Sequence, residues 1–103
     1  MVRVIIEHKA KDPAGVIDVI RELRDEAMKQ KGYITGETLV NSNDPSNVLV
    51  ISTWQNLQDW NAWDKSDLRT RITQRALPFL AEPYAVRTFE YQTIRANRVL
   101  SIF

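Results

Sequence analysis

One side chain in this sequence can titrate near neutral pH, and it lies among apolar residues. His8 is the only histidine of the 103 residues, and it shares one face of a predicted strand with Val4 and Ile6. Because the unperturbed pKa of histidine is about 6.5, His8 could accept a phenolic proton at neutral pH. Two interpretations stay open: His8 is a structural residue with satisfied hydrogen bonds, or it is a general base that protrudes into a pocket.

A group of tryptophans could supply the wall of such a pocket. Trp54, Trp60 and Trp63 fall close together in the chain, and Trp60 and Trp63 have the i, i+3 spacing that places them on one helix face. Aromatic residues at helical spacing are usually core packing. Pockets for small molecules are also apolar and aromatic, with few polar groups. The sequence therefore allows core packing, or a pocket lined by at least one tryptophan.

The composition excludes several classes of protein. The chain has no cysteine and one histidine, which excludes disulfide, thiolate and iron–sulfur chemistry and a metal site built from several histidines. No carboxylate spacing suggests a metal site either. The net charge of +1 argues against general binding to nucleic acid, which needs a clustered basic field. We expect no metal and no nucleic-acid partner.

The sequence also argues against a membrane or secreted protein. No apolar run approaches the roughly 20 residues that a membrane span needs. The N-terminal residues MVRVII lack the anatomy of a signal peptide and are typical of a first strand. We therefore expect a cytoplasmic protein without a membrane partner.

Periodicity and turn residues divide the chain into elements that position these side chains. Asp12 and Pro13 predict the start of a helix that runs to about Lys31, and Gly32 predicts its end. The apolar stripe of this helix comprises Val16, Ile20, Leu23 and Ala27, widened by Ile17 and Met28. The predicted strands are Val2–Ala10, Tyr33–Val40, Val48–Trp54 and Tyr84–Thr93.

The third strand and its surroundings carry further signals. Val48–Ile51 is apolar on both pleat faces, which predicts a central strand buried on both sides. Residues 41–47 are polar turn formers and predict the loop of an antiparallel hairpin. Gly36 indicates a bulge or a close approach within the second strand.

The second helix is predicted to begin after Asn56, with Asp59 as its capping partner, and to restart after a kink at Ser66. Pro78 should bend or end it. Its apolar face comprises Leu68, Ile72, Ala76, Phe79 and Leu80. Its basic residues, predicted to form a solvated flank, are Arg69, Arg71 and Arg75.

The predicted order is β-α-β-β-α-β, the split βαβ pattern of a ferredoxin-like α+β domain with two helices on one face of an antiparallel sheet. We expect one domain over 1–103, with a core over 2–93 and a tail over 94–103 that could form a short strand at a dimer interface. The uncovered sheet face would hold Ile5, Leu49, Ile51, Phe89 and Tyr91. Exposure of this area is unfavourable by about 25 cal/mol per Å², which predicts a homodimer in which sheet faces sheet.

The order of elements and one motif resemble a known family. Val50–Trp54, read VISTW, is followed by Trp63 nine residues on and then by Ser66. This is similar to the signature of the antibiotic biosynthesis monooxygenase (ABM) superfamily, and the resemblance covers roughly residues 2–93. It implies a dimeric α+β barrel with a pocket between the helices and the sheet of each subunit. The superfamily holds cofactor-free quinol and polyketide monooxygenases, haem-degrading enzymes and members of no known role.

The haem-degrading branch gives a distant second resemblance, through Trp54, Trp63 and Ser66-Asp67. That branch uses an asparagine late in the first strand, a tryptophan in the second helix and an iron-ligating histidine further along that helix. Trp63 matches the tryptophan, and His8 falls at or next to the asparagine position. Thr73 falls where the iron ligand should be, and a threonine cannot replace an axial imidazole.

The cofactor-free branch implies roles for particular residues. An electron-rich phenol or hydroquinone loses a proton, passes an electron to O2 and recombines with it in a dry aromatic cavity, without a cofactor. The candidate catalytic residues are His8 as the base and Trp63 as the wall. The candidate substrate-binding residues are Tyr33, Trp60, Ile72 and Phe79, with Tyr84 as a lesser candidate.

Three functions therefore compete. The first is a cofactor-independent monooxygenase that acts on a small aromatic or quinol-like substrate. The second is a dimer that holds or senses a small hydrophobic ligand without turnover. The third is a protein that binds or degrades haem, against which Thr73 weighs. The titratable His8 on the inward face favours the enzyme.

Overall fold

A computed structural model of the 103-residue chain describes residues 1–92. The predicted β-α-β-β-α-β order is confirmed, with the second helix divided into two α-helices and a 3₁₀ turn. The elements are β1 (Val2–Lys9), α1 (Pro13–Ala27), β2 (Tyr33–Asn41), β3 (Asp44–Trp54), α2 (Leu57–Asp64), α3 (Asp67–Gln74), a 3₁₀ turn (Leu77–Phe79) and β4 (Ala85–Glu90). The predicted tail, and the last predicted strand residue Thr93, lie outside the described residues.

The four strands form one antiparallel sheet in the order β2-β3-β1-β4. β1 and β3 are the inner strands, and their register pairs His8 with Val48 and Ile5 with Ile51. The strand that carries His8 therefore lies in the middle of the sheet, where neighbouring strands fix its backbone on both sides.

β1 shows the alternation that the sequence predicts. Val4, Ile6 and His8 are buried on the face that packs against the helices, whereas Ile5 and Glu7 on the other face are half-buried. Successive strand residues point to opposite faces, so the inward direction of His8 follows directly from the pattern.

Helix α1 begins as predicted but ends earlier. The Asp12 carboxylate accepts a hydrogen bond from the backbone N–H of Gly15 at 3.2 Å, and Pro13 takes the first turn. The helix stops at Ala27, so the prediction of a helix to Lys31 is wrong. Gly32 has φ +87°, a left-handed conformation that needs glycine and places the connection outside the helix. Met28 is consequently 60% exposed rather than part of the apolar stripe.

The β2–β3 hairpin is longer than predicted. β2 extends to Asn41 and β3 begins at Asp44, so only residues 42–43 separate the strands and the loop predicted for 41–47 is wrong. The side chains of Asn41 and Asp44 stay exposed while their backbones pair, and composition alone cannot distinguish this from a loop. The β2–β3 register shifts between Tyr33 and Thr35 and again between Val40 and Asn41, rather than at Gly36.

Both predicted helix starts on the second half of the chain are confirmed. The Asn56 side chain accepts from the backbone N–H of Asp59 at 2.8 Å, and the Ser66 hydroxyl accepts from the backbone N–H of Arg69 at 3.2 Å. These caps separate α2 from α3. α3 ends at Gln74, before Pro78, which lies in the 3₁₀ turn.

The core consists of two clusters of buried residues between the helices and the sheet. The aliphatic cluster comprises Ala10, Val16, Val19, Ile20, Val48, Ile72, Ala76 and Leu80. The aromatic cluster comprises Val2, Val4, Ile6, Ala27, Trp54, Trp60 and Trp63. Partly buried Leu23, Val50, Leu68 and Tyr84 pack against both.

The opposite face of the sheet, which we call the outer face, is not covered by any helix of residues 1–92. Leu49 and Ile51 are half-buried although Val48 is fully buried, so burial of β3 on both sides is wrong for the single chain. Phe89 and Tyr91 are 51% and 53% exposed. Along residues 1–92, no helix is long and apolar enough to cross a membrane.

Candidate functional site

A cavity of about 60 Å³ lies between the helices and the inner face of the sheet. It borders the aromatic cluster, and of the aliphatic cluster only Ile20 lines it. Its lining residues are Ile6, His8, Ile20, Leu23, Arg24, Ala27, Tyr33, Gly36, Val50, Ser52, Trp54, Trp60, Trp63, Arg69 and Tyr84. Four of the six predicted site residues, His8, Trp63, Tyr33 and Trp60, thus meet at one cavity.

His8 is held in a defined orientation by the neighbouring strand. Its Nδ1 atom lies 3.2 Å from the carbonyl oxygen of Val48. Because a carbonyl oxygen only accepts hydrogen bonds, Nδ1 carries the hydrogen in the neutral ring and Nε2 is left as an acceptor. The imidazole is 6% exposed and lies 5.8 Å from the Tyr84 ring, centroid to centroid. His8 can therefore present a basic nitrogen within the cavity.

The surroundings of His8 lower its pKa below the usual 6.5. Burial is the largest cause, because it disfavours the charged imidazolium. The Val48 hydrogen bond opposes the shift, and the positive charge of Arg69 adds to it. His8 is thus neutral at pH 7 and able to take up a proton.

The three tryptophans are both core residues and cavity lining. Trp54 is fully buried, and its indole N–H donates to the Ser52 hydroxyl at 3.0 Å. Its ring meets Trp60 at 5.7 Å and Tyr33 at 5.5 Å in edge-on geometries, which aromatic pairs favour. The two interpretations of the tryptophans are therefore compatible, because the packed indoles form a rigid wall.

Arg69 is the functional candidate that the sequence analysis missed. The prediction that it lies on a solvated flank is wrong, since it is only 4% exposed, whereas Arg71 and Arg75 are exposed. Residue 69 lies three positions before buried Ile72 and so shares its helix face. The three-residue spacing to Ile72 could have indicated that Arg69 faces the core, but arginine residues are mostly exposed to solvent.

The contacts of Arg69 place a positive charge at the cavity wall. Its Nη1 atom lies 3.2 Å from the Asp64 carboxylate and donates to the Tyr84 hydroxyl at 3.4 Å. The guanidinium also lies over the Trp60 ring, 5.3 Å from its centroid, within the range of a cation–π contact. A guanidinium has five N–H donors, so donors remain for a ligand.

Two predicted lining residues belong elsewhere. Ile72 is 1% exposed within the aliphatic cluster and does not line the cavity. Phe79 packs against α1, where a Cβ at Gly15 would lie 2.7 Å from its Cγ atom. Helical spacing predicts that both side chains face the core. They do so, but they contact the aliphatic cluster and not the cavity.

Other positions bear on the remaining predictions. Gly36 is a close-approach site, because a Cβ there would lie 2.6 Å from the Tyr33 hydroxyl. The hydroxyl of Thr73 donates to the backbone oxygen of Thr70 at 3.0 Å, and Thr73 does not line the cavity. Within the described part of the chain, no group of three His, Asp or Glu side chains could hold a metal ion.

The fold and the cavity define a class: a ferredoxin-like α+β domain with a cavity between the helices and the sheet. The sequence profile described as Antibiotic biosynthesis monooxygenase matches residues 1–75. The chain therefore belongs to the antibiotic biosynthesis monooxygenase family. No curated protein matches the chain significantly in a sequence search.

Solved structures support the fold at low sequence identity. A putative antibiotic biosynthesis monooxygenase from Nitrosomonas europaea has a TM-score of 0.80 at 14% identity, covering 90% of this chain and 100% of that one. SnoaB, a cofactor-independent oxygenase from Streptomyces nogalater, has a TM-score of 0.81 at 10% identity, covering 92% and 96%. A conserved protein from Methanosarcina mazei Go1 has a TM-score of 0.79 at 16% identity, covering 88% and 92%.

Proposed function

We propose that this protein is a cofactor-independent monooxygenase that oxidises a small aromatic or quinol-like substrate with O2. The observation that carries the proposal is His8, a buried imidazole whose Val48 bond leaves Nε2 as an acceptor in an aromatic cavity. Membership of the family and the fold shared with the cofactor-independent oxygenase SnoaB support it.

The proposed reaction begins with proton transfer from a substrate hydroxyl to Nε2 of His8. The resulting phenolate passes one electron to O2, which gives a phenoxyl radical and superoxide. These recombine through a carbon–oxygen bond at a ring carbon that bears hydrogen, and the hydroperoxide takes back the proton. Loss of water then leaves a quinone, so one O2 supplies one oxygen atom to the product and one to water.

Arg69 supports the charged stages of this reaction. Its guanidinium is buried at the cavity wall, and its one carboxylate contact is with Asp64, whose side chain is 38% exposed. A cation in a water-poor site stabilises phenolate and superoxide more strongly than it would in water. Trp63 and Trp60 supply the apolar wall, and Tyr33 closes the cavity on the β2 side.

Oxygen consumption with menadiol tests the proposed function. His8→Ala should lower the rate by about 10²- to 10⁴-fold, the usual contribution of a positioned base. Arg71→Gln, a change of an exposed residue on α3, should leave the rate unchanged. Equal rates for the wild type and His8→Ala, after subtraction of autoxidation, would exclude His8 as the base.

The alternative is a binding protein with the same cavity. It is favoured by the lowered pKa of His8, because a weaker base removes a phenolic proton less readily. Quenching of tryptophan fluorescence by an aromatic ligand, with no oxygen uptake, would support this alternative. The haem hypothesis lacks an iron ligand at residue 73, where the Thr73 hydroxyl donates to the Thr70 carbonyl. An unchanged Soret band on addition of haemin would remove this hypothesis.

The proposal includes a homodimer through the outer face and a cytoplasmic location. The dimer is supported by half-exposed Leu49, Ile51, Phe89 and Tyr91 on one face of the sheet, since a second copy would bury that area. Light scattering at micromolar concentration should give twice the mass of the 11.9 kDa chain. A monomer would remove this part of the proposal without affecting the proposed chemistry.

A further inference from the structure

The cavity beside His8 is too small for the substrate that the proposed function requires. Its volume is about 60 Å³, whereas cavities that hold a benzene ring measure about 150 Å³. A phenol or quinol therefore needs more room than this cavity encloses.

Such a space lies next to it, between α1 and β2. This second cleft has a volume of about 340 Å³. Its lining residues are Ile17, Ile20, Arg21, Arg24, Asp25 and Thr38. Ile20 and Arg24 line both the cleft and the cavity, so these two side chains form the boundary between them.

A hydrogen bond from Arg24 spans this boundary. Its Nη2 atom, on the last full turn of α1, donates to the Thr38 hydroxyl of β2 at 2.5 Å. Both residues are half-buried. A long arginine side chain can move by rotamer changes alone, so breaking this bond would open the cavity to the cleft without a shift of the backbone.

We propose that the Arg24–Thr38 bond is the closed mouth of the substrate site, and that Arg24 selects substrates with a carboxylate at the end remote from the reacting hydroxyl. This inference deepens the proposed function and rests on it for the identity of the reacting group. An entering aromatic acid exchanges the neutral Thr38 hydroxyl for a carboxylate as the partner of Arg24. A charge-assisted bidentate pair is the stronger interaction of the two.

The charges around the mouth agree with this choice of ligand. Arg21 and Arg24 line the cleft together with one carboxylate, Asp25. Arg21 also forms an ion pair with Asp18 at 3.4 Å, with both side chains about three-quarters exposed. Arg24 is thus the half-buried cation of the mouth, where screening by water is weaker than at Arg21.

Anaerobic calorimetric titration compares 6-hydroxy-2-naphthoate with 2-naphthol, which share the ring and hydroxyl and differ by the carboxylate. The wild type should bind the acid at least about tenfold more tightly, equivalent to about 1.4 kcal/mol. Arg24→Met keeps the side-chain stem and should abolish that preference. Thr38→Val removes the acceptor of the Arg24 hydrogen bond. It should tighten binding of both ligands by about threefold, because neither ligand then has to break that bond to enter.

Arg21→Met is the matched control, since it removes a cation of the same cleft that does not line the cavity. It should leave the preference for the acid within about twofold of the wild type. A wild type that binds both ligands equally, or binds neither, would overturn the proposal, and so would a preference that persists in Arg24→Met. Circular dichroism of each variant separates these outcomes from unfolding.

The titration is independent of turnover. If the acid is preferred through Arg24 but neither menadiol nor 6-hydroxy-2-naphthoate gives oxygen uptake, the mouth is correct and the monooxygenase proposal fails. If oxygen uptake depends on His8 but the acid is not preferred, the monooxygenase stands and the role of Arg24 fails.

Discussion

The aliphatic and aromatic clusters both lie between the helices and the sheet. They differ in composition and in how much of each cluster lines the cavity. The aliphatic cluster contains branched and small side chains, and only Ile20 among them reaches the cavity. The aromatic cluster combines three indoles with Ile6 and borders the cavity that contains His8 and Arg69. The space beside the indoles is where the polar groups of His8 and Arg69 can meet a ligand.

The difference predicts different losses of stability for two isoleucine truncations. Ile72→Ala should lower the free energy of unfolding by about 2–5 kcal/mol, because Ile72 is fully enclosed by the aliphatic cluster. Ile6→Ala enlarges an existing cavity and should cost about 2 kcal/mol, near the lower end of that range. Urea denaturation measures both changes.

Ligand affinity provides the control for this pair. Ile6→Ala should bind 2-naphthol more tightly than the wild type, since the added space lies beside His8, whereas Ile72→Ala should not change the affinity. Tighter binding of 2-naphthol by Ile72→Ala, or equal losses of unfolding free energy in the two variants, would contradict this account. It requires that the aromatic cluster borders the cavity and that the aliphatic cluster is closely packed.

A second prediction concerns Arg69, the buried cation at the wall of the cavity. Arg69→Met should lower the rate of menadiol oxidation by about tenfold or more, as expected for loss of one charge-assisted contact of about 1.5–3 kcal/mol. Stability should change by about 1 kcal/mol or less, because the Asp64 side chain is 38% exposed and can be solvated by water. Arg71→Met is the exposed control on the same helix. A large loss of stability with an unchanged rate would make Arg69 a structural residue.

A third prediction extends the comparison to the two faces of the sheet. Ile51 is half-buried on the outer face, where it pairs in register with Ile5. Ile51→Lys should convert the proposed dimer to a monomer, because a charge in an apolar interface is costly. Ala14→Lys, at an exposed position on α1, should leave the mass unchanged. A dimer that survives Ile51→Lys would place the interface elsewhere.

The smallest expected effect is a dependence of stability on pH. The pKa of His8 is lowered in the folded protein, so the unfolded chain binds the proton more readily. Stability from this source is complete above about pH 6.5 and is lost as the pH falls below it. Thermal unfolding between pH 5 and 8 should show this loss in the wild type and not in His8→Phe. An unchanged loss in that variant would assign it to the carboxylates.

Much of this fold follows from local patterns in the sequence. The alternation in β1 places His8 inward, and short-range hydrogen bonds at Asp12, Asn56 and Ser66 set the helix starts. These features depend on residues within a turn or a strand of one another, which is why the sequence predicts them. The antiparallel β2–β3 hairpin is predicted, but its short turn before Asp44 is not, because the added pairing depends on the partner strand and not on the polarity of the residues there.

The candidate site is less predictable for the same reason. Helical spacing shows that Ile72 and Phe79 face inward, but it does not show which half of the core lies beneath them. The burial of Arg69 depends on Asp64 and Tyr84, and Tyr84 comes from a distant part of the chain. Arg24 lines both the cavity and the second cleft. The sequence does not show this, because it depends on how α1 packs against β2.

The protonation state of His8 is the central claim of this account, and nitrogen-15 NMR tests it directly. Because His8 is the only histidine, one pair of imidazole nitrogen signals reports its tautomer and its titration. We predict a hydrogen on Nδ1, an unprotonated Nε2 at pH 7 and a titration midpoint below about 6.5. A midpoint well above pH 7, or a hydrogen on Nε2 at pH 7, would show that Nε2 offers no free lone pair and would contradict the role of His8 as the base.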